Sequence, residues 1–263
     1  MTATVVVTGA SSGIGACMAQ AWGKRGARVV LCARDENALG RVAADVERAG
    51  GRAVCAPGDV TRELDRQRLI DLARSESGRI DVLVNNAGRG YYGGLATVDV
   101  AELEALFALN VMAPLRLAQL ALDPLTRAGG TLVMVSSVAG VAALPRMGAY
   151  AASKFALEAI ASVLRAELVG AGVRVLVVRP GPVDTPFRAH SLTTDGNAGV
   201  RHRGVTVQVP GEVAEQTVRA VLSGRSVVET TSFVRAASLV ARVTPAVMGW
   251  IGTAMHARSA QDS

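Results

Sequence analysis

The sequence predicts an α/β fold: a doubly wound parallel sheet of about seven strands with helices on both faces. Three observations carry this. Short β-rich runs alternate with helically spaced segments over most of the 263 residues. The runs are continuously apolar where a sheet with one wet face would alternate, so helices cover both faces. Half of the residues are hydrophobic, yet only four Phe, three Tyr and two Trp occur. A core of Ala, Val, Leu and Gly suits close helix-on-sheet packing.

The first strand, 4–8 (TVVVT), runs into Thr8-Gly9-Ala10-Ser11-Ser12-Gly13-Ile14-Gly15 and then a helix over 14–24. Between strand and helix, a phosphate meets unpaired N–H groups and the positive end of the helix dipole. Gly9, Gly13 and Gly15 permit a tight turn and let a pyrophosphate approach the backbone. Two other readings share these residues. Either the glycines serve helix–strand packing alone, or Gly9-Ala10-Ser11-Ser12-Gly13 is the G-x-S-x-G turn of a serine hydrolase. The hydrolase would use Ser11 with His190, His202 or His256.

The second strand, 28–32, leads into Ala33-Arg34, at the point where an NAD enzyme carries an acidic residue for the adenosine ribose. Arg34 suits a 2′-phosphate that a carboxylate would repel, which favours NADP(H) over NAD(H). Asp35 and Glu36 begin the next helix, 36–49. A strand at 53–56, a helix at 62–75 and a strand at 81–85 keep the alternation going. A helix over 100–122 and a strand over 131–136 follow, then a helix over 151–168 and a strand over 173–179.

Tyr150 and Lys154 stand four apart at the start of a helical segment and share one face. An ammonium beside a phenol favours phenolate, drawing a pKa of about 10 toward working pH for acid/base work. Ser137 ends the fifth long strand, at the carboxyl edge where open α/β sheets bind ligands, and its hydroxyl suits a carbonyl. The competing reading is a Tyr and a Lys on a solvated helix face.

These elements together resemble the classical short-chain dehydrogenase/reductase family. The matching residues are Thr8–Gly15, Asp59-Val60, Asn85-Asn86-Ala87-Gly88, Asn110, Ser136-Ser137, Tyr150-Ala-Ala-Ser153-Lys154 and Pro180-Gly181-Pro182-Val183-Asp184-Thr185, in family order over about residues 4–230. The resemblance implies a Rossmann-type fold and a nicotinamide-dependent oxidoreductase acting on a ketone, aldehyde or secondary alcohol. Tyr150 would be its general acid/base and Lys154 would lower the Tyr150 pKa and hold the nicotinamide ribose. Ser137 would polarise the carbonyl, and Asn110 would hold a relay water or, more plainly, make a helix-kink hydrogen bond. Gly9, Ser11, Ser12, Gly13, Ile14, Gly15 and Arg34 would bind the phosphates, and Asp59 and Val60 would flank the adenine, the plainer reading of Asp59 being a cap of the next helix. Asn86, Ala87 and Gly88 would pass beneath the adenosine ribose or, more plainly, form a strand-end turn. Pro180, Gly181, Val183 and Thr185 would fix the carboxamide. Departures include Ala113, where the family often has Gly, and Asp123-Pro124.

Residues 1–230 read as one catalytic domain, with 186–211 a polar segment that suits a substrate lid. Arg89, Tyr91, Tyr92, Arg146, Met147 and Phe187 fall in segments that rim the pocket, though glycines around the tyrosines suit a mobile loop. Arg188, Arg201 and Arg203 read first as solvated charge and second as anion steering. A strand at 226–229 precedes an apolar helical extension, 231–263. Ser232 is placed to cap one helix, Thr244-Pro245 to start another, and Arg235, Arg242 and His256 share a stripe. The extension covers the pocket, packs in a homodimer or homotetramer, or, less in keeping with its few cations, lies on a membrane surface.

The net charge of +6 raises nucleic acid as a partner, but the arginines are scattered, without a basic block or aromatic interleaving. Cys17, Cys32 and Cys55 are odd in number and lack metal spacing, which suits core residues of a cytoplasmic protein. An enzyme with a small carbonyl or alcohol substrate is therefore expected. The alternatives are an NAD-dependent alcohol dehydrogenase, a dinucleotide sensor without chemistry, and the Ser11 hydrolase.

Overall fold

The computed structural model describes residues 2–143, 145–193 and 207–243. Its strands are β1 (Thr4–Thr8), β2 (Arg28–Ala33), β3 (Arg52–Pro57), β4 (Val82–Asn85), β5 (Tyr91–Tyr92), β6 (Thr131–Val135), β7 (Arg174–Arg179), β8 (Leu192–Thr193) and β9 (Val227–Glu229). Seven of them form one parallel sheet in the order β3-β2-β1-β4-β6-β7-β9, the Rossmann-type arrangement that the sequence predicts. Strand order reverses between β1 and β4, and the crevice outside their carboxyl ends is where such sheets take ligands.

The helices divide between the two faces because adjacent strand residues point opposite ways. Val5 and Val7 pack with α1 (Gly13–Gly23), α2 (Glu36–Arg48) and α8 (Pro210–Leu222), while Val6 packs with α3 (Glu63–Arg74), α5 (Ala113–Leu120), α6 (Leu122–Ala128) and α7 (Gly148–Glu167). Cys17 and Cys55 pack against the first core and Cys32 lies within the second, all three as free thiols.

Local chemistry sets the helix ends. Asp35 accepts the Ala38 N–H at 2.9 Å and so caps α2, whose first residue is Glu36. The C-terminal helix α9 (Ser232–Val243) departs from expectation: Thr231 Oγ1 accepts the Val234 N–H at 3.1 Å, so Thr231 makes the cap bond and Ser232 is the first helical residue.

The helix expected over 100–122 is instead broken. α4 (Val100–Phe107) passes into a π-helical turn at Ala108–Met112, then α5, and the chain bends by 58° into α6. Pro114 has no N–H to offer the Asn110 carbonyl four residues back, so the ladder loosens there. Tyr91 and Tyr92 likewise are no mobile loop. They form β5, pair with β8 and are buried in a cluster with Leu106, Met147, Ala149 and Tyr150. Arg201, His202, Arg203, Thr244-Pro245 and His256 lie outside the described residues, as does the side chain of Arg242.

Candidate active site

The turn after β1 is built as a close-packed cradle. Gly9 and Gly13 adopt φ of +63° and +56°, the left-handed region that favours glycine. A Cβ on Gly15 would lie 2.3 Å from the Gly9 carbonyl oxygen, and one on Gly9 would lie 2.9 Å from Ala87 Cα. Thr8 and Asn86 stitch this turn to the end of β4. Thr8 Oγ1 accepts the N–H groups of Asn86 and Ala87 at 3.0 Å each, and Asn86 Nδ2 donates to Thr8 O at 2.9 Å and to Gly9 O at 3.2 Å.

The same turn fits a bound anion. Ser12 occupies the N-cap position of α1 without a side-chain cap hydrogen bond, and the first turn carries no acid. The first N–H groups of α1, at Gly13, Ile14 and Gly15, thus face no internal competitor. Ser11 stands beside them.

Arg34 is exposed just past β2, at the same carboxyl edge. Its charge helps hold the Asp59 carboxyl below its ordinary range, against burial and together with two Thr61 hydrogen bonds. Asp59 Oδ1 accepts both the Thr61 N–H at 2.9 Å and the Thr61 hydroxyl at 2.8 Å, so it serves the turn that enters α3, and Val60 beside it is buried.

Tyr150 and Lys154 occupy successive turns at the start of α7, both buried. The Ser137 side chain hydrogen-bonds the Tyr150 phenol. Ser137 Oγ also accepts the Ala139 N–H at 3.1 Å, which leaves its own proton for the phenol oxygen. Lys154 Nζ lies 5.8 Å from the Tyr150 ring centroid and donates to the Val135 carbonyl at 2.9 Å. Burial pushes Lys154 down to about 8, opposed by Glu158. Burial also holds the Tyr150 phenol above its ordinary range; the Ser137 bond opposes this, and the Tyr92 charge adds to it. The sequence expects Lys154 to lower Tyr150. In the folded protein the phenol is raised instead: burial dominates, the one opposing influence is the Ser137 hydrogen bond, and Lys154 does not offset it.

Asn110 is fully buried in the π-helical turn. Its Oδ1 accepts the Arg89 N–H at 2.9 Å, and its Nδ2 donates to Arg89 O at 2.9 Å and to Ser153 Oγ at 3.0 Å. The plainer expectation, a hydrogen bond at a helix kink, describes this side chain. A Cβ on Gly88 would lie 3.1 Å from Asn110 Oδ1 and 3.6 Å from Lys154 Nζ, so Gly88 lets these groups converge.

The loop after β7 closes the other side. Pro180 O accepts the Val138 N–H at 2.9 Å, tying the loop to the Ser137 turn, and Val183 bridges to Gln208. Gly181 packs on the extension: a Cβ there would meet Val234 Cγ2 at 3.3 Å and Thr231 Oγ1 at 3.6 Å. Phe187 lies 5.9 Å from the Tyr150 ring, centroid to centroid. Arg188, expected to be solvated, instead sits over the Tyr92 ring at 5.9 Å.

This arrangement agrees with comparisons to known proteins. A family model described as short chain dehydrogenase matches residues 3–196. The chain belongs to the short-chain dehydrogenase/reductase family. It is 34% identical over 219 residues to the ketoacyl reductase HetN of Nostoc sp., covering 83% of this chain and 75% of that one. It is 35% identical over 226 residues to dehydrogenase/reductase SDR family member 7B of Danio rerio, covering 82% and 73%. Among solved structures, a short-chain dehydrogenase/reductase of Burkholderia phymatum in complex with NAD superposes with a TM-score of 0.82 at 26% identity, over 91% of this chain and 92% of that one. A short-chain dehydrogenase of Sphingobium yanoikuyae in complex with NADPH gives a TM-score of 0.75 at 30% identity, over 86% of each.

As a member of this family, the protein is an oxidoreductase of the nicotinamide-dinucleotide class, and the serine-hydrolase reading of Ser11 falls. The structure brings Ser137, Tyr150, Lys154, Asn110 and Gly88 together at the carboxyl edge, beside the glycine turn and the Pro180–Thr185 loop. Sequence reasoning did not identify the Thr8–Asn86 stitching as a device or the ion cluster behind Lys154. Asn86 offered a signal, since a side-chain amide at a strand end beside a glycine turn has backbone groups to satisfy.

Proposed function

We propose that the protein is an NADP(H)-dependent carbonyl reductase or secondary-alcohol dehydrogenase with Tyr150 as its general acid/base. The observation that carries this is the convergence of the half-buried Ser137 hydroxyl on the buried Tyr150 phenol, with the buried Lys154 one turn along the same helix. The dinucleotide would lie on Gly9–Gly15 with Asn86, Ala87 and Gly88 nearby, its adenine by Asp59 and Val60, and its nicotinamide by Pro180, Gly181, Val183 and Thr185. Bound there, it supplies or accepts the hydride.

In the reductive direction, Ser137 holds the carbonyl oxygen and Tyr150 donates its proton to it. The phenolate left behind is stabilised by the nearby Lys154 ammonium and by the Ser137 proton, which turns to it once the product oxygen carries its own proton. Burial keeps the phenol protonated and so able to donate, but it also makes it a weaker acid, so the site must stabilise the phenolate that donation leaves. Asn110 keeps the Gly88–Arg89 turn against Lys154, and a relay water there would return the proton.

Two features support NADP over NAD. Arg34 stands exposed past β2, and Asp35, the adjacent acid, is committed to capping α2. The dinucleotides in related structures include both kinds, so binding to this chain is the test. Fluorescence titration with NADPH and NADH on wild type and Arg34→Ala should give tighter NADPH binding that weakens selectively in the variant. Equal or tighter NADH binding refutes the preference. A carbonyl screen with Tyr150→Phe as the inactive control then tests the chemistry, and binding without turnover on any carbonyl favours the sensor reading.

A homo-oligomer belongs to the same reading. Met112, Phe155 and Val163 are 51%, 43% and 55% exposed on helical segments of one sheet face, an apolar surface for another copy. Light scattering on the purified chain reads its state.

A further inference from the structure

Behind the Tyr150–Lys154 pair lies a cluster of one buried guanidinium and two partly buried carboxylates. Glu158 stands one turn beyond Lys154, so Tyr150, Lys154 and Glu158 fall at i, i+4 and i+8 on α7. Both Glu158 oxygens are held by the Arg179 guanidinium, Oε1 by Nε at 2.9 Å and Oε2 by Nη2 at 2.8 Å. Arg179 ends β7, and its Nη1 donates to Glu229 Oε1 at the end of β9 at 3.0 Å. The three side chains are 7%, 13% and 21% exposed for Arg179, Glu158 and Glu229, so water screens them weakly.

Two carboxylates around one guanidinium leave a surplus negative charge, which is costly in the interior unless balanced. Lys154 is the buried cation one turn away. Packing ties the same groups together. A Cβ on Gly140 would meet Ser136 Oγ at 2.5 Å, Glu158 Cγ at 3.1 Å and the Lys154 carbonyl at 3.2 Å, so the turn that carries Ser137 rests on this stretch of α7. Arg179 immediately precedes the Pro180–Thr185 loop.

We propose that Glu158 is a positioning residue for Lys154: clamped by Arg179 and Glu229, it fixes this turn of α7 and supplies the negative charge that balances the ammonium. The inference rests on the reading of Lys154 as the partner of Tyr150. Other charged or titratable groups also face this region. On α7 these are Tyr150, with Tyr92 behind it, and Arg165, which bonds the Val175 and Ser226 carbonyls. Arg89 follows β4, and the π-helical turn contributes only neutral Asn110. Burial lowers Lys154 while Glu158 opposes it, in accord with this role.

Lys24 and Lys154 are the only lysines, so lysine labelled at Cε and Nζ gives two magnetic-resonance signals, with exposed Lys24 as internal reference. A Lys24→Arg variant assigns them. Titrated in the purified full chain, Glu158→Gln should move the Lys154 midpoint down by at least about half a unit. Glu229→Gln should move it the same way by less, with Lys24 unmoved. An unmoved Lys154 midpoint in folded Glu158→Gln overturns the inference. If that variant does not fold, Glu229→Gln decides by the same criterion. The titration needs neither cofactor nor substrate. A chain that shows the shift but turns over no carbonyl therefore refutes the functional reading and leaves the electrostatic link standing.

Discussion

Gly13 and Thr185 meet across the site: a Cβ on Gly13 would stand 3.0 Å from Thr185 Cγ2. The glycine turn after β1 and the loop after β7 are thus held in contact although far apart in sequence. Gly13→Ala would also strain a φ of +56°, at about 1–2 kcal/mol. Its neighbour here is the end of a side chain that can rotate away. The expected result is a folded protein with about tenfold weaker NADPH binding in a fluorescence titration. Gly15→Ala should be worse, because its Cβ would lie 2.3 Å from the Gly9 carbonyl, which is backbone. Thermal unfolding should show Gly15→Ala to be the less stable of the two.

What was legible in the sequence is what rests on local period. Tyr150 and Lys154 announce themselves by helical spacing, and the strands by continuous apolar runs. Tyr91 and Tyr92 were harder, because their partners Leu192 and Thr193 lie about a hundred residues away and flanking glycines resemble a loop. The Glu158–Arg179 pair joins a helix to a strand end, and such a meeting depends on the register of packed elements. The raised Tyr150 phenol was hidden for a related reason: desolvation is a property of the assembled core. The break at Asn110 was within reach, since Pro114 inside a helical pattern warns of one.

Phe187 tilts by 59° against the Tyr150 ring at 5.9 Å, an aromatic contact worth about 0.5–1.5 kcal/mol. Removing it loosens the wall beside the reacting group while leaving Ser137, Tyr150 and Lys154 in place. Phe187→Ala should raise KM for a carbonyl substrate by about three- to tenfold and change kcat by less. Steady-state kinetics check this, and a fall in kcat alone would place Phe187 elsewhere in the reaction.

The extension bears on the site through Val234, fully buried against Gly181. Val234→Ala should destabilise the fold by about 1–2 kcal/mol and weaken dinucleotide binding through the Pro180–Thr185 loop. Leu239 on the same helix is 64% exposed, and Leu239→Ala should stay within about 0.5 kcal/mol of wild type with binding unchanged. Paired unfolding and titration measurements on the two variants separate packing on the loop from a general effect of the helix.

Lys154 makes stability depend on pH with a definite sign. Burial pushes its folded-state value down to about 8, whereas an unfolded lysine titrates near about 10.4. Between these values the unfolded chain binds more protons, so rising pH favours the folded state. Below about pH 8 the ammonium is charged in both states and its burial cost is carried in full. Above about pH 10 that cost has been relieved. Lys154→Met removes the titration, so the stability of wild type relative to the variant should rise by about 2–3 kcal/mol from pH 7 to pH 10. Denaturant unfolding of both proteins across this range reads Lys154 together with the groups coupled to it, while groups remote from the site titrate alike in the two. Tyr150 sets the upper bound of the window: its raised phenol stays protonated in the folded state while unfolded tyrosine ionises near about pH 10, so further alkali works against folding. A flat difference between wild type and Lys154→Met would mean that Lys154 is solvated in solution, and the electrostatic pairing with Tyr150 would then lose its basis.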